Sequence, residues 1–149
     1  MIKLNFPEYT FSYNKTEAGL QVYDRIRKKF VLLTPEEWVR QHTLCFLIEE
    51  KKFPASLMAV EMGLKYNTMQ NRSDIVIYNT LGKPHVIVEC KAPEVKISQD
   101  TFDQIARYNF TLKASYLIVT NGLSHFCCKM DYENNSYAFL KDIPLYGEL

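Results

Sequence analysis

The sequence is poor in glycine, with 5 in 149 residues, and none of them belongs to a Gly-rich loop that cradles phosphates. Cysteine is also sparse, with 4 residues at Cys45, Cys90, Cys127 and Cys128. No CxxC pair occurs, and the adjacent Cys127 and Cys128 make a poor start for a zinc site. Three of the four cysteines lie in apolar runs, where the free thiol behaves as a small hydrophobe, so a reduced, cytoplasmic protein is expected. No apolar stretch approaches the ~20 residues of a membrane span. Lys3, Asn5, Pro7 and Glu8 interrupt the start of the chain, so no signal peptide is expected there. An excess of one charge is missing too. Lys and Arg number 18 against 17 Asp and Glu, a net charge of +1, so any surface for a polyanion has to be local. The run Arg25-Ile26-Arg27-Lys28-Lys29 is one candidate, and its alternative reading is a solvated strand or turn. Repeats, low-complexity tracts and linkers are absent, and 149 residues fit one domain, 1–149.

Hydrophobic residues make up 47% and aromatics 13%, enough for a substantial core. The first 33 residues alternate apolar and polar, which predicts short strands or hairpins around 15–19. Thr34-Pro35-Glu36-Glu37 is a helix start: Thr34 as N-cap, Pro35 at the first helical position, and Glu37 three residues after the cap. That helix is expected to run to about residue 51, before Pro54, with a strand over 56–63. Residues 74–79 (Asp-Ile-Val-Ile-Tyr-Asn) and 85–91 (His-Val-Ile-Val-Glu-Cys-Lys) read as an antiparallel hairpin across a turn at 81–84. Ser98 caps a helix over 99–113 whose core stripe is Phe102, Ile105, Ala106, Asn109 and Leu112. A buried strand over 115–120 then pairs in parallel through a right-handed crossover. Two last strands, 125–131 and 136–140, turn around Asn134 and Asn135. The expected fold class is α/β, a mixed sheet flanked by helices with an N-terminal β extension.

Phosphodiester hydrolysis needs a hard cation held by carboxylates, and a nearby lysine to act on water or on developing charge. Glu89 and Lys91 are two apart on a strand, so both point to one face, while Cys90 points to the other and offers its backbone carbonyl as a ligand. Glu-x-Lys occurs four times in the chain, but only Glu89 and Lys91 end an otherwise apolar strand. Two charges there are costly unless they pair or bind a metal. The competing reading is a Glu–Lys pair at the rim of the sheet. Asp74 opens the neighbouring strand. With Asn79 opposite Pro84, Asp74 falls opposite Glu89; with Asn79 opposite His85, Asp74 turns to the other face, unless a bulge corrects the slip. Gln104 and Tyr108, four apart on one helix face, either look toward this site or are ordinary helix surface. Glu36 shares a face with Val39, Thr43 and Phe46, and the alternative is that Glu36 and Glu37 merely favour a helix N-terminus. His42, His85 and His125 show no ligand or triad spacing.

The segments Arg72-Ser73-Asp74-Ile75-Val76-Ile77 and Val86-Ile87-Val88-Glu89-Cys90-Lys91-Ala92-Pro93 resemble the PD-(D/E)xK nuclease signature. The match extends over roughly 22–130. It also takes in Leu33-Thr34-Pro35-Glu36-Glu37-Trp38-Val39-Arg40-Gln41, Gln104 with Tyr108, and Thr120-Asn121-Gly122, and it is closest to the N-terminal domain of type I restriction enzyme R subunits. The resemblance implies a restriction-endonuclease-like fold and a Mg²⁺-dependent DNA endonuclease, with Mn²⁺ able to substitute. Asp74, Glu89 and the Cys90 carbonyl would hold the metal, and Lys91 would act on the attacking water. Gln104, Tyr108, Arg72 and a helix glutamate, Glu36 or Glu37, would support the site. Ser73 stands where the motif's name has proline, and no ATP-driven motor is present. DNA is the implied substrate, a motor or specificity subunit the implied partner, and a homodimer is expected by analogy. The alternative is a non-catalytic module that keeps the fold to bind DNA or protein.

Overall fold

A computed structural model describes residues 1–60 and 74–149. Two sheets and two main helices organise these residues. A three-stranded antiparallel sheet comes first: β1 (Tyr13–Thr16), β2 (Gly19–Asp24) and β3 (Lys29–Leu32). This is the N-terminal β extension expected from the alternating pattern. Residues 25–28 form the β2–β3 turn, with Lys28 at φ 57°, so the basic run reads as a turn. Its arginines are committed to ion pairs, Arg25 with Glu49 and Arg27 with Asp24 and Glu37, rather than spread as a free basic patch.

Helix α1 (Pro35–Cys45) begins as the sequence requires, with Thr34 Oγ1 accepting the Glu37 amide at 3.0 Å. The helical path continues to Glu50, but as a π-helical turn from Phe46. A 3₁₀ turn (Ala55–Leu57) then leads to β4 (Met58–Val60). The expected strand over 56–63 is therefore shorter at its start, and its last residues lie outside those described.

Six strands form the main sheet in the order β4-β5-β6-β7-β8-β9, with β5 (Ile75–Tyr78), β6 (Pro84–Cys90), β7 (Tyr116–Thr120), β8 (His125–Asp131) and β9 (Ser136–Leu140). Among the described residues only β6 and β7 pair in parallel, and helix α2 (Gln99–Asn109) is the connection between them. Ser98 caps α2 as expected, but the helix ends at Asn109, four residues early, in turns that place Lys113 at φ 55°.

The helices cover opposite faces of the sheet. Val39 and Leu44 of α1, with Leu47 of the π-helical turn, share a core with Ile75, Ile77, Val86, Val88, Cys90 and Ile118. Phe102, Ile105 and Ala106 of α2 share the other with Ile87, Leu117, Val119 and Cys128. This alternation within β6 and β7 follows the two-residue period of a strand buried on both faces. All four cysteines are buried and unpaired by disulfide, as their apolar setting predicts. Among the described residues, no helix is long and apolar enough to cross a membrane.

Gly122 clamps α1 and the N-terminal segment to the end of β7. It adopts φ 86°, accepts the Asn5 amide at 2.7 Å, and leaves room for Leu4 and Val39. A Cβ added there would stand 2.7 Å from Leu4 Cδ2 and 3.1 Å from Val39 Cγ2. Gly122→Ala is expected to cost about 1–3 kcal/mol, the sum of left-handed backbone strain and overpacking, measured by urea unfolding. An unchanged midpoint would mean that this clamp is slack.

Candidate active site

The hairpin register decides whether Asp74 and Glu89 meet. At the turn Tyr78, not Asn79, lies opposite Pro84, and the Asn79 amide donates to Lys83 O at 2.8 Å. A bulge between Ile77 and Tyr78 then shifts the pairing by one. From there Ile77 lies opposite Val86, Val76 opposite Ile87 and Ile75 opposite Val88. Carried one residue further, this register sets Asp74 beside Glu89, so the bulge does what the turn does not.

Asp74 lies just before β5, and Lys91 just after β6. Asp74 is buried, and its carboxylate is held at both oxygens. Oδ2 accepts the Cys90 backbone N–H at 2.6 Å, in place of a ladder bond. Oδ1 accepts from Arg40 Nη2 at 2.9 Å. The N–H and C=O of a strand residue point the same way, so the Cys90 carbonyl also faces the Asp74 side. The Cys90 thiol is buried on the α1 face, and burial followed by the charge of Asp74 pushes it well above the usual thiol range. It stays a protonated, inert packing group.

Glu89 points to the α2 side, partly buried, where the Asn109 amide hydrogen-bonds it. Burial pushes its carboxyl well above the usual range of 4.5, and nearby Asp74 adds to the rise. Lys91 and Asn109 oppose that rise without cancelling it. The Lys91 backbone N–H donates to Thr120 O at 2.8 Å, which ties the residue to β7. Among the described residues, Lys91 has no ion pair within 4 Å.

Helix α1 supplies what the motif did not announce. Arg40 is buried, and its guanidinium meets Glu37 Oε1 at 2.7 Å through Nη1, and Glu36 Oε2 at 2.7 Å through the same Nη2 that holds Asp74. Glu37 is buried and its second oxygen accepts from Arg27 Nη2 at 2.7 Å and Gln41 Nε2 at 2.9 Å. Arg27 and Gln41 also reach Asp24, whose other oxygen accepts the Ile26 and Arg27 amides at 2.8 Å each. A continuous chain of charge-assisted bonds thus runs from the β2–β3 turn through α1 to Asp74. Among the described residues it holds four carboxylates (Asp24, Glu36, Glu37, Asp74) against two guanidinium groups (Arg27, Arg40), an excess of two negative charges. Burial opposes the charge of Arg40, but Asp74 first and then Glu37 and Glu36 outweigh it and hold the group charged.

The site therefore gathers Asp74, Glu89, Cys90 and Lys91, with both Glu36 and Glu37 joined to it through Arg40. Gln104 and Tyr108 are not drawn in. Gln104 is exposed in an open groove with Asp100, Thr101, Asp103 and Arg107, and among the described residues no hydrogen bond joins it to the carboxylates. Tyr108 is half-buried beside it on α2, and Arg72 lies outside the described residues. Asn109 is buried on the α2 core stripe as the sequence predicts, and it is also the partner of Glu89. Arg40 was not singled out at all, although Glu36 and Glu37 stand four and three residues before it, the spacing of helical ion pairs.

A family model described as the type I restriction enzyme R protein N terminus matches residues 35–144, from the first turn of α1 to just past β9. The chain belongs to that family. Asp74, Glu89, Cys90, Lys91 and Arg40 all lie within the matched span, whereas the small sheet β1–β3 precedes it. Comparison with curated proteins gave no match, and comparison with solved structures gave none. The Glu37–Arg27–Asp24 linkage, Gln41 on Asp24 and the Arg25–Glu49 pair tie the matched region to the β extension.

Asp24 is fully buried. Burial alone would raise its pKa, but the Arg27 amide, Gln41 and the Arg27 side chain outweigh it, and the carboxyl lies below its ordinary 3.8. A lowered carboxyl stabilises the fold above pH 3.8, and that stabilisation drains away as pH falls through the native value. Asp24→Asn is expected to lose roughly 2–4 kcal/mol at neutral pH in urea unfolding. The difference from wild type should shrink below pH 3.8. A gap that is the same at pH 7 and in acid would contradict the assignment.

Proposed function

We propose that this chain is a Mg²⁺-dependent DNA endonuclease module of the PD-(D/E)xK type, hydrolysing phosphodiester bonds as part of a restriction assembly. The observation that carries the reading is the meeting of Asp74 and Glu89 at adjoining strand ends, with Lys91 beside them. Membership of the R protein N-terminal family supports it.

The residues suit a hard divalent ion. Asp74 and Glu89 adjoin at neighbouring strand ends, burial and then the charge of Asp74 raise the Glu89 pKa, and among the described residues the wider ion-pair network holds two more carboxylates than guanidinium groups. All the candidate donors are oxygens, which favours Mg²⁺ or Mn²⁺ over zinc. Among the described residues, no three Asp, Glu, His or Cys side chains already surround one point, so the ion would be held by Asp74, Glu89 and the Cys90 carbonyl together with water. When bound, it would supply Lewis acidity and a water of lowered pKa.

The chain's own residues do the rest. The Cys90 amide and Arg40 fix the plane of the Asp74 carboxylate, and Asn109 orients Glu89. The Lys91 ammonium orients the attacking water and stabilises negative charge as it develops on phosphorus-bound oxygen. Gln104, exposed on α2 in a groove with Arg107, would support the site from the surface rather than at the carboxylates. A net charge of +1 makes the chain a weak DNA binder by itself, so a motor or specificity subunit supplies the remaining DNA contacts.

Plasmid and single-stranded DNA, incubated with Mg²⁺ or Mn²⁺, should be cut by the wild type and spared once EDTA is added. Asp74→Asn and Lys91→Ala should each slow cleavage roughly 10²-fold or more. Metal-independent cutting, or cutting that survives both substitutions, would refute the site. A folded wild type that neither cuts DNA nor binds metal would favour the non-catalytic module.

A further inference from the structure

Asp74 does not face open space. It converges with Glu36 and Glu37 on Arg40. Its Nη2 is shared between Glu36 Oε2 at 2.7 Å and Asp74 Oδ1 at 2.9 Å, while Nη1 holds Glu37 at 2.7 Å. We propose that Arg40 is a positioning residue that acts as a tethered internal cation, occupying Asp74 Oδ1 in the metal-free protein and yielding that oxygen when a divalent ion binds. The inference rests on the metal-dependent reading above.

Three observations carry it. First, the guanidinium is anchored independently of Asp74. With the Asp74 bond broken, Arg40 still has Glu37 on one nitrogen and Glu36 on the other, so exchange leaves no buried cation unpaired. Second, the bond that must break is the longest of its three, and it uses a nitrogen already shared with Glu36. The Asp74 carboxylate meanwhile keeps its place through Oδ2 and the Cys90 amide at 2.6 Å. Third, Coulomb's law sets the sign. A positive charge fixed a few ångströms from a divalent ion opposes its binding, more strongly where water is thin. Among the described residues, the three carboxylates on Arg40 exceed its single charge by two, so the cluster stays attractive to a cation.

Arg27 provides an internal control. It is half-buried and ion-paired with Asp24 and Glu37, neither of which is a candidate metal donor. Exchange at Asp74 should leave it bonded as before.

The test is a Mg²⁺ titration of the full chain without DNA, followed by the ¹⁵N and ¹H resonances of arginine side chains and of the Cys90 amide. The Arg40 resonances should move in step with metal occupancy, with those of Arg27 moving much less. In parallel, Arg40→Gln should bind Mn²⁺ roughly three- to tenfold more tightly by calorimetry, since a repelling charge is gone. If Arg40→Gln does not fold, the wild-type titration decides alone. Saturation of the site with Arg40 signals unmoved, or Arg40→Gln binding Mn²⁺ no better than wild type, would overturn the exchange and leave the metal site standing. A wild type whose spectrum ignores Mg²⁺ altogether would overturn the metal reading and the exchange with it.

Discussion

The buried guanidinium of Arg40 is the contact on which the rest of this arrangement depends. Burying an arginine is costly unless every direction it presents is met by an acceptor, and Glu36, Glu37 and Asp74 meet it from two elements far apart in sequence. That requirement places α1 against the ends of β5 and β6, and through Glu37 and Arg27 it draws the β2–β3 turn into the same structure. The apolar core beneath, with Val39, Leu44 and Leu47 on one face of the sheet, supplies the attraction. The ion network adds directional contacts that align the helix, from Glu37 to Arg27 and from Arg40 to Asp74.

The site sits at the end of the sheet because the strands can carry charge only there. β5, β6 and β7 are apolar on both faces, so the first positions that tolerate carboxylates and a lysine are those where the strands emerge from between the helices. Asp74, Glu89 and Lys91 occupy these positions, and the parallel β6–β7 pair brings Thr120 and the Gly122 turn to the same end. The emergent charge is deliberate in the physical sense that it is incompletely paired. Glu89 holds its proton more tightly than an ordinary carboxyl, first because it is buried and then because Asp74 lies near it.

Much of this was legible in the residues. The capping pattern at Thr34 located α1, the Asp-Ile-Val-Ile and Val-Ile-Val-Glu-Cys-Lys runs located the hairpin, and an apolar strand after a helix implied the parallel pair. The register was not legible, because Ile75-Val76-Ile77 is apolar on both faces and offers no pattern to count. A bulge at Ile77 and Tyr78 settled it, and bulges have no sequence signal in a run of β-branched residues. Arg40 escaped notice because its decisive partner is 34 residues away, and Asn109 because it lies on the stripe that also buries Phe102 and Ile105. Helix periodicity reports which face is inward, not whether inward means core or carboxylate.

The central claim, that Asp74 and Glu89 form one metal site, is tested most directly by anomalous diffraction from crystals soaked in Mn²⁺. The account predicts a single strong peak within coordination distance of both carboxylates and the Cys90 carbonyl, with Arg40 retained by Glu36 and Glu37. A peak elsewhere, or none at a Mn²⁺ concentration that saturates binding in solution, would contradict it.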